Sequence, residues 1–140
     1  MAKLYIVGTP IGNLKDITLR ALETLKSVDV IACEDTRHSL ALLNHYGIKA
    51  RLVSYHKFNE KECGDYLVSE IQDGKSVALI TDAGMPAISD PGAVLVRLCR
   101  EKGVDTEVVP GPTAFASAVA MSGLNSTGFT FLGFMPEKKK

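Results

Sequence analysis

Short β-branched runs alternate with stretches of helical period along almost the whole chain, and that alternation leaves few folds open. Leu4–Val7, Val28–Ala32, Arg51–Ser54, Val77–Ile80 and Glu107–Val109 read as strands. Leu19, Leu22 and Leu25 recur at helical spacing, with Asp16 or Thr18 placed to cap the first turn. Further helices are expected over Ser39–Tyr46, Asn59–Asp73, Gly92–Lys102 and Thr113–Met121, with a glycine just past the end of each of the first three and close after the last. Nearly continuous apolar strands separated by helices predict an α/β domain, an open and mostly parallel sheet of about five strands with helices on both faces. Right-handed crossovers would bring the carboxyl ends of all the strands to one rim.

The balance of residues narrows the class further. Hydrophobic residues make up 46% and charged residues 23% of the 140, which suits a folded core and excludes wholesale disorder. Sixteen basic side chains match sixteen acidic ones. No overall field therefore draws the chain to nucleic acid or membrane, and an anionic partner must be met by a local patch. Cys33, Cys63 and Cys99 are widely spaced, with no CxxC pair for zinc or redox work. They read as reduced thiols of a cytoplasmic protein, with no metal site. No apolar run approaches the ~20 residues of a membrane helix, and Met1–Val7 reads as a first strand rather than a secretory signal.

In open α/β sheets ligands bind beyond the carboxyl ends of the strands, so the loops there carry the search for chemistry. The first, Gly8-Thr9-Pro10-Ile11-Gly12-Asn13-Leu14, lets backbone approach a ligand but is neither a dinucleotide fingerprint nor a Walker loop. The second, Cys33-Glu34-Asp35-Thr36-Arg37-His38, offers two carboxylates that could orient a hydroxyl; it could equally supply a helix cap and a surface ion pair. The third, Tyr55-His56-Lys57-Phe58-Asn59, mixes an aromatic, an imidazole and a cation, groups that can stack on a base and meet a phosphate. The fourth runs from Thr81 to Gly92, through Asp82-Ala83-Gly84-Met85-Pro86-Ala87-Ile88-Ser89-Asp90-Pro91. Its prolines and glycines shape a loop longer than the ~2–6 residues of a plain connection, suited to a flat heterocycle with a polar tail. The last, Pro110-Gly111-Pro112-Thr113-Ala114, enters a helix that Thr113 can cap. Phe129–Phe134 reads as one more strand, running into Met135-Pro136-Glu137-Lys138-Lys139-Lys140. The motifs of metal hydrolysis, serine hydrolysis and phosphoryl transfer are absent.

Taken together and in order, these five loops resemble the ribosomal RNA small subunit methyltransferase I family, within the tetrapyrrole methylase (class III methyltransferase) superfamily. The resemblance runs along the whole chain. It implies methyl transfer from S-adenosylmethionine to the ribose 2′-oxygen of a cytidine in 16S rRNA of the small ribosomal subunit, by a homodimeric enzyme. It implies a cofactor site lined by Asp82, Ala83, Gly84, Met85, Ile88 and Ser89, closed by Pro10 from the first loop and by Thr113 and Ala114 from the last. Glu34 or Asp35 would be the general base, with Arg37 orienting a carboxylate or holding a phosphate, and His56 carries over as a catalytic residue. The family usually has Glu-His-Asn after its tyrosine–histidine pair, where this chain has Lys57-Phe58-Asn59. By the same likeness residues 1–134 form the N-terminal domain and residues 135–140 begin a linker to an absent C-terminal domain, so that the piece alone is inactive. Two other readings stay open: methylation of a tetrapyrrole ring, and a non-catalytic module without useful cofactor affinity.

Overall fold

A computed structural model describes residues 2–89, 91–124 and 127–136. The alternation becomes β1 (Leu4–Val7), a 3₁₀ turn (Leu14–Asp16), α1 (Leu19–Ser27), β2 (Val30–Cys33) and α2 (Thr36–His45). It continues through β3 (Arg51–Ser54), α3 (Glu60–Gln72), β4 (Val77–Leu79), α4 (Gly92–Glu101), β5 (Thr106–Val109) and α5 (Ala114–Ser122). All pairings are parallel, and the strands lie in the order β3-β2-β4-β1-β5.

This order explains where the helices lie. The steps β1 to β2 and β2 to β3 move one way across the sheet; β3 to β4 and β4 to β5 move back. Right-handed crossovers therefore put α1 and α2 on one face and α3 and α4 on the other. The two cores agree, because successive strand residues point to opposite faces. Leu4, Val30, Val77 and Leu79 pack with Leu67, Ile71 and Leu95. Val7, Ile31, Ala78 and Ile80 pack with Ala21, Leu25 and Leu43. Each of these buried valine, leucine and isoleucine side chains contributes about 1.5–3 kcal/mol relative to exposure. The adjacent strands β1 and β4 send their connections in opposite directions, which opens a crevice at their carboxyl ends.

Local chemistry sets the boundaries. Thr18 caps α1, its Oγ1 accepting from the Ala21 amide at 3.0 Å, while Asp16 belongs to the 3₁₀ turn. Asp35 caps α2, which consequently begins at Thr36 rather than Ser39. Thr113 precedes α5 but makes no side-chain cap; its Oγ1 donates instead to the Gly111 carbonyl at 3.1 Å.

Phe129–Phe134 is not a strand. Its phenylalanines clasp α5: Phe131 stacks on Phe115 with centroids 4.6 Å apart, and Phe129 lies 6.2 Å from the same ring. The alternation that mimics a strand is thus a set of aromatic contacts, and Gly133, at φ 90°, turns the backbone out of extension. Even so, α5 buries none of its residues, and Met121, Leu132, Phe134 and Met135 are largely exposed. Asp90 and Glu137–Lys140 lie outside the described residues. Among those described, no helix is long and apolar enough to cross a membrane.

Candidate active site

The first and fourth loops are stapled together over the crevice. Thr9 and Gly84 exchange both backbone hydrogen bonds at 3.0 Å, and the buried Thr9 hydroxyl donates to the Thr81 carbonyl at 3.2 Å. Gly84 has φ 85°, and a Cβ there would press on Ile11 and on the Pro112 carbonyl, so the first, fourth and last loops converge at this residue. Beyond it, Ala87 (φ 70°) and Ser89 (φ 52°) occupy the left-handed region. Each costs on the order of 1–2 kcal/mol for an L-residue. Strain held in place by surrounding packing is often found where a loop grips a ligand.

These loops and the start of α5 enclose a cleft of about 770 Å³. Asp82, Ala83, Gly84, Met85, Ile88 and Ser89 line it from the fourth loop, and Thr113 and Ala114 face them from the last. Glu34 also lines the cleft, whereas Asp35, Arg37 and His56 do not. From the first loop Ile11, not Pro10, reaches the wall. Phe115 and Ala118 of α5, together with Phe131 and Phe134, complete the apolar side. Sequence reasoning missed these four. Phe115 and Ala118 do stand three apart on a helix, the spacing that puts both on one face; the other two were hidden in the presumed strand.

The polar side is sparse. Asp82 Oδ1 is buried and has no hydrogen-bond partner among the described residues. An unsatisfied buried carboxylate oxygen is expensive, so a ligand N–H or cation delivered there would be held firmly. The His38 ring, Nε2 2.8 Å from the Asp82 carbonyl oxygen, ties α2 to the fourth loop. Asp35 is partly committed, because its Oδ1 accepts from the Arg37 and His38 amides at 3.0 and 3.4 Å. His56 sits beyond β3, its Nδ1 accepting from the Phe58 amide at 3.2 Å. Burial pushes the Cys33 thiol up, the Ser39 hydroxyl partly offsets this, and the Asp82 and Asp35 carboxylates push it up further. That thiol stays protonated and inert.

An apolar slot with a few convergent polar atoms fits a nucleoside-like cofactor bearing an amino-acid tail. Flat walls come from Ile11, Met85, Ile88 and Phe115, and a free acceptor comes from Asp82.

The comparisons with known proteins point the same way. A model of the family Tetrapyrrole (Corrin/Porphyrin) Methylases matches residues 3–136. Ribosomal RNA small subunit methyltransferase I of Mycoplasmopsis pulmonis (strain UAB CTIP) is 59% identical over 138 residues, covering 99% of this chain and 62% of that protein. The protein of the same name from Escherichia coli O157:H7 is 52% identical over 138 residues, covering 99% of this chain and 48% of its own length. The chain thus spans about half to under two thirds of these relatives. Among solved structures, uroporphyrin-III-C-methyltransferase from Thermus thermophilus superposes with a TM-score of 0.67 at 28% identity, covering 91% of this chain and 55% of that one.

Proposed function

Because the chain belongs to the tetrapyrrole (corrin/porphyrin) methylase family, we propose that it is the N-terminal domain of an S-adenosylmethionine-dependent methyltransferase acting on the ribose 2′-oxygen of a cytidine in 16S rRNA. The observation that carries this reading is the single cleft in which the fourth loop, the last loop and Glu34 meet. The names of the relatives and the five ordered loops support the RNA substrate. Residues 1–134 form the domain and residues 135–140 start a linker. The bare apolar surface of α5 and the clasping segment suits a second domain packed against it. The working enzyme is a cytoplasmic homodimer in this reading.

When bound, S-adenosylmethionine supplies a methyl group already made electrophilic by its sulfonium. Asp82 and Ser89 would hold its polar end, and Ile11, Met85, Ile88 and Phe115 its flat end, excluding water. Alignment of this kind is worth up to ~7–11 kcal/mol in a displacement. The ribose hydroxyl must lose its proton as it attacks, and Glu34, which like Asp82 lines the cleft, would take it on a carboxylate oxygen. Asp35 serves the α2 terminus, and Arg37 beside it offers an exposed cation for an RNA phosphate.

Glu34→Gln in the intact gene product should abolish methylation of small ribosomal subunits while calorimetry shows unchanged S-adenosylhomocysteine affinity. Full activity in that variant would remove Glu34 from the mechanism. Turnover of a tetrapyrrole, with no methyl incorporated into rRNA, would overturn the substrate.

A further inference from the structure

Phe58 is the most conspicuous aromatic outside the cleft, 83% exposed at the tip of the turn between β3 and α3. A large apolar ring normally leaves water, yet this turn is built to hold it out. The His56 amide donates to Asn59 Oδ1 at 2.8 Å and the Asn59 amide to the His56 carbonyl at 3.0 Å. Asn59 Nδ2 donates to the Ser54 carbonyl at 2.9 Å, and the Phe58 amide to His56 Nδ1. Four hydrogen bonds thus lock the segment that presents the ring.

A cation lies against it, and the carboxylates Glu60 and Glu62 follow in the first turn of α3. Lys57 Nζ lies 5.3 Å from the ring centroid, and the His56 ring meets it edge-on at 5.9 Å. Lys57 and Arg37 are both exposed, and neither has an ion-pair partner among the described residues. The turn also stands on the same rim as the cleft. The Ser54 hydroxyl donates to the carbonyl of Glu34, which lines the cleft, at 3.4 Å. β3 is the sheet edge, two strands from β4. A strand of RNA crossing from β4 to β3 would therefore meet first the cleft, then Phe58.

We propose that Phe58 is a stacking platform for a nucleobase flanking the nucleotide presented to the cleft, with Lys57 meeting the adjoining phosphate. An aromatic face and a nearby cation are the elements by which single-stranded RNA is held without sequence-specific readout. The proposal rests on the RNA reading above and adds the surface that delivers the substrate.

The test uses the intact gene product with small ribosomal subunits as substrate and S-adenosylhomocysteine as cofactor probe. Phe58→Ala should raise KM for the subunits about 10-fold, the scale of one lost base stack, leaving kcat and S-adenosylhomocysteine affinity unchanged. Phe58→Tyr should restore KM. These 140 residues contain no tryptophan; Phe58→Trp adds one at the platform, and a short oligocytidylate should saturably quench the fluorescence that this variant gains over the wild-type protein. Unchanged KM in Phe58→Ala, or an unquenched Phe58→Trp in an enzyme that still methylates rRNA, overturns the platform alone. A wild-type protein that binds S-adenosylhomocysteine yet never methylates rRNA overturns the RNA reading and the platform with it.

Discussion

Gly8 and Gly111 press backbone to backbone: a methyl group on Gly8 would lie 2.7 Å from Gly111 Cα and 2.8 Å from Met85 Sδ. The first loop, the last loop and the cleft wall meet at a spot with room for hydrogen only. Gly8→Ala must displace backbone, so it should lower stability by about 1–3 kcal/mol and weaken S-adenosylhomocysteine binding at the same time. Gly47→Ala is the control. Gly47 has φ 67° and open space around it, so alanine there strains the helix end by about 1–2 kcal/mol without touching the cleft. Urea denaturation and calorimetry on both variants separate the two effects.

Asp35 offers a second separation. As the cap of α2 it should contribute about 0.5–2 kcal/mol, lost in Asp35→Ala. Asparagine caps as well as aspartate, so Asp35→Asn should fold with near wild-type stability. Any loss of methylation in Asp35→Asn then reports the charge, not the helix. Thermal melts of the two variants, read beside their activities, check this.

Glu70 of α3 ties its helix to β3 and to the turn before β4, with Arg51 of β3 and Lys75 each 3.4 Å from its Oε1 and the Tyr66 hydroxyl of the same helix at 3.2 Å. Burial works against its ionisation, but the Lys75 hydrogen bond and charge, the Tyr66 hydroxyl and Arg51 prevail and hold its carboxyl below the ordinary 4.5. A depressed carboxyl stabilises the fold above the ordinary value. That stabilisation is lost as pH falls below 4.5 through the folded-state value. Denaturation midpoints measured downward from pH 6 should fall less steeply in Glu70→Gln than in the wild type.

The thiols report on the core. Burial raises all three, and pushes Cys99 up to about 11. Folded protein should therefore leave a thiol reagent unreacted at neutral pH, and denaturant should release three equivalents. The same shift adds an alkaline limit. An unfolded thiol ionises near 9.0, the folded Cys99 near 11, so stability falls as pH rises between them. Cys99→Val should blunt that fall.

How much of this was legible depends on how local the signal is. Arg51–Ser54 and Leu4–Val7 carry their own β-branched pattern, and both appear as strands with the expected bounds. The fourth loop stood out because its prolines and glycines are too dense for a plain connection, and the structure sets it on the cleft wall. The start of α2 was misplaced because Asp35 offers the same carboxylate to a cap and to a substrate, and composition cannot tell which. Phe131 was misread because its contact with Phe115 lies across sixteen residues of chain, beyond any periodicity. Strand order was likewise hidden, since it is decided by non-local pairing.

That order has a consequence for how the chain is made. Among the described residues β1 pairs with no strand but β4 and β5, its Leu4 opposite Val77 and Thr106. By contrast β2 and β3, with α2 between them, form a neighbouring pair at once. A ribosome adding roughly 5–20 residues per second leaves the first strand waiting several seconds for its partners. This topology therefore favours forming the β2–β3 pair before β1 is placed. Until β4 and β5 are made, the apolar Leu4-Tyr5-Ile6-Val7 segment has no strand to pair with, and its backbone groups and side chains stay open to other partners.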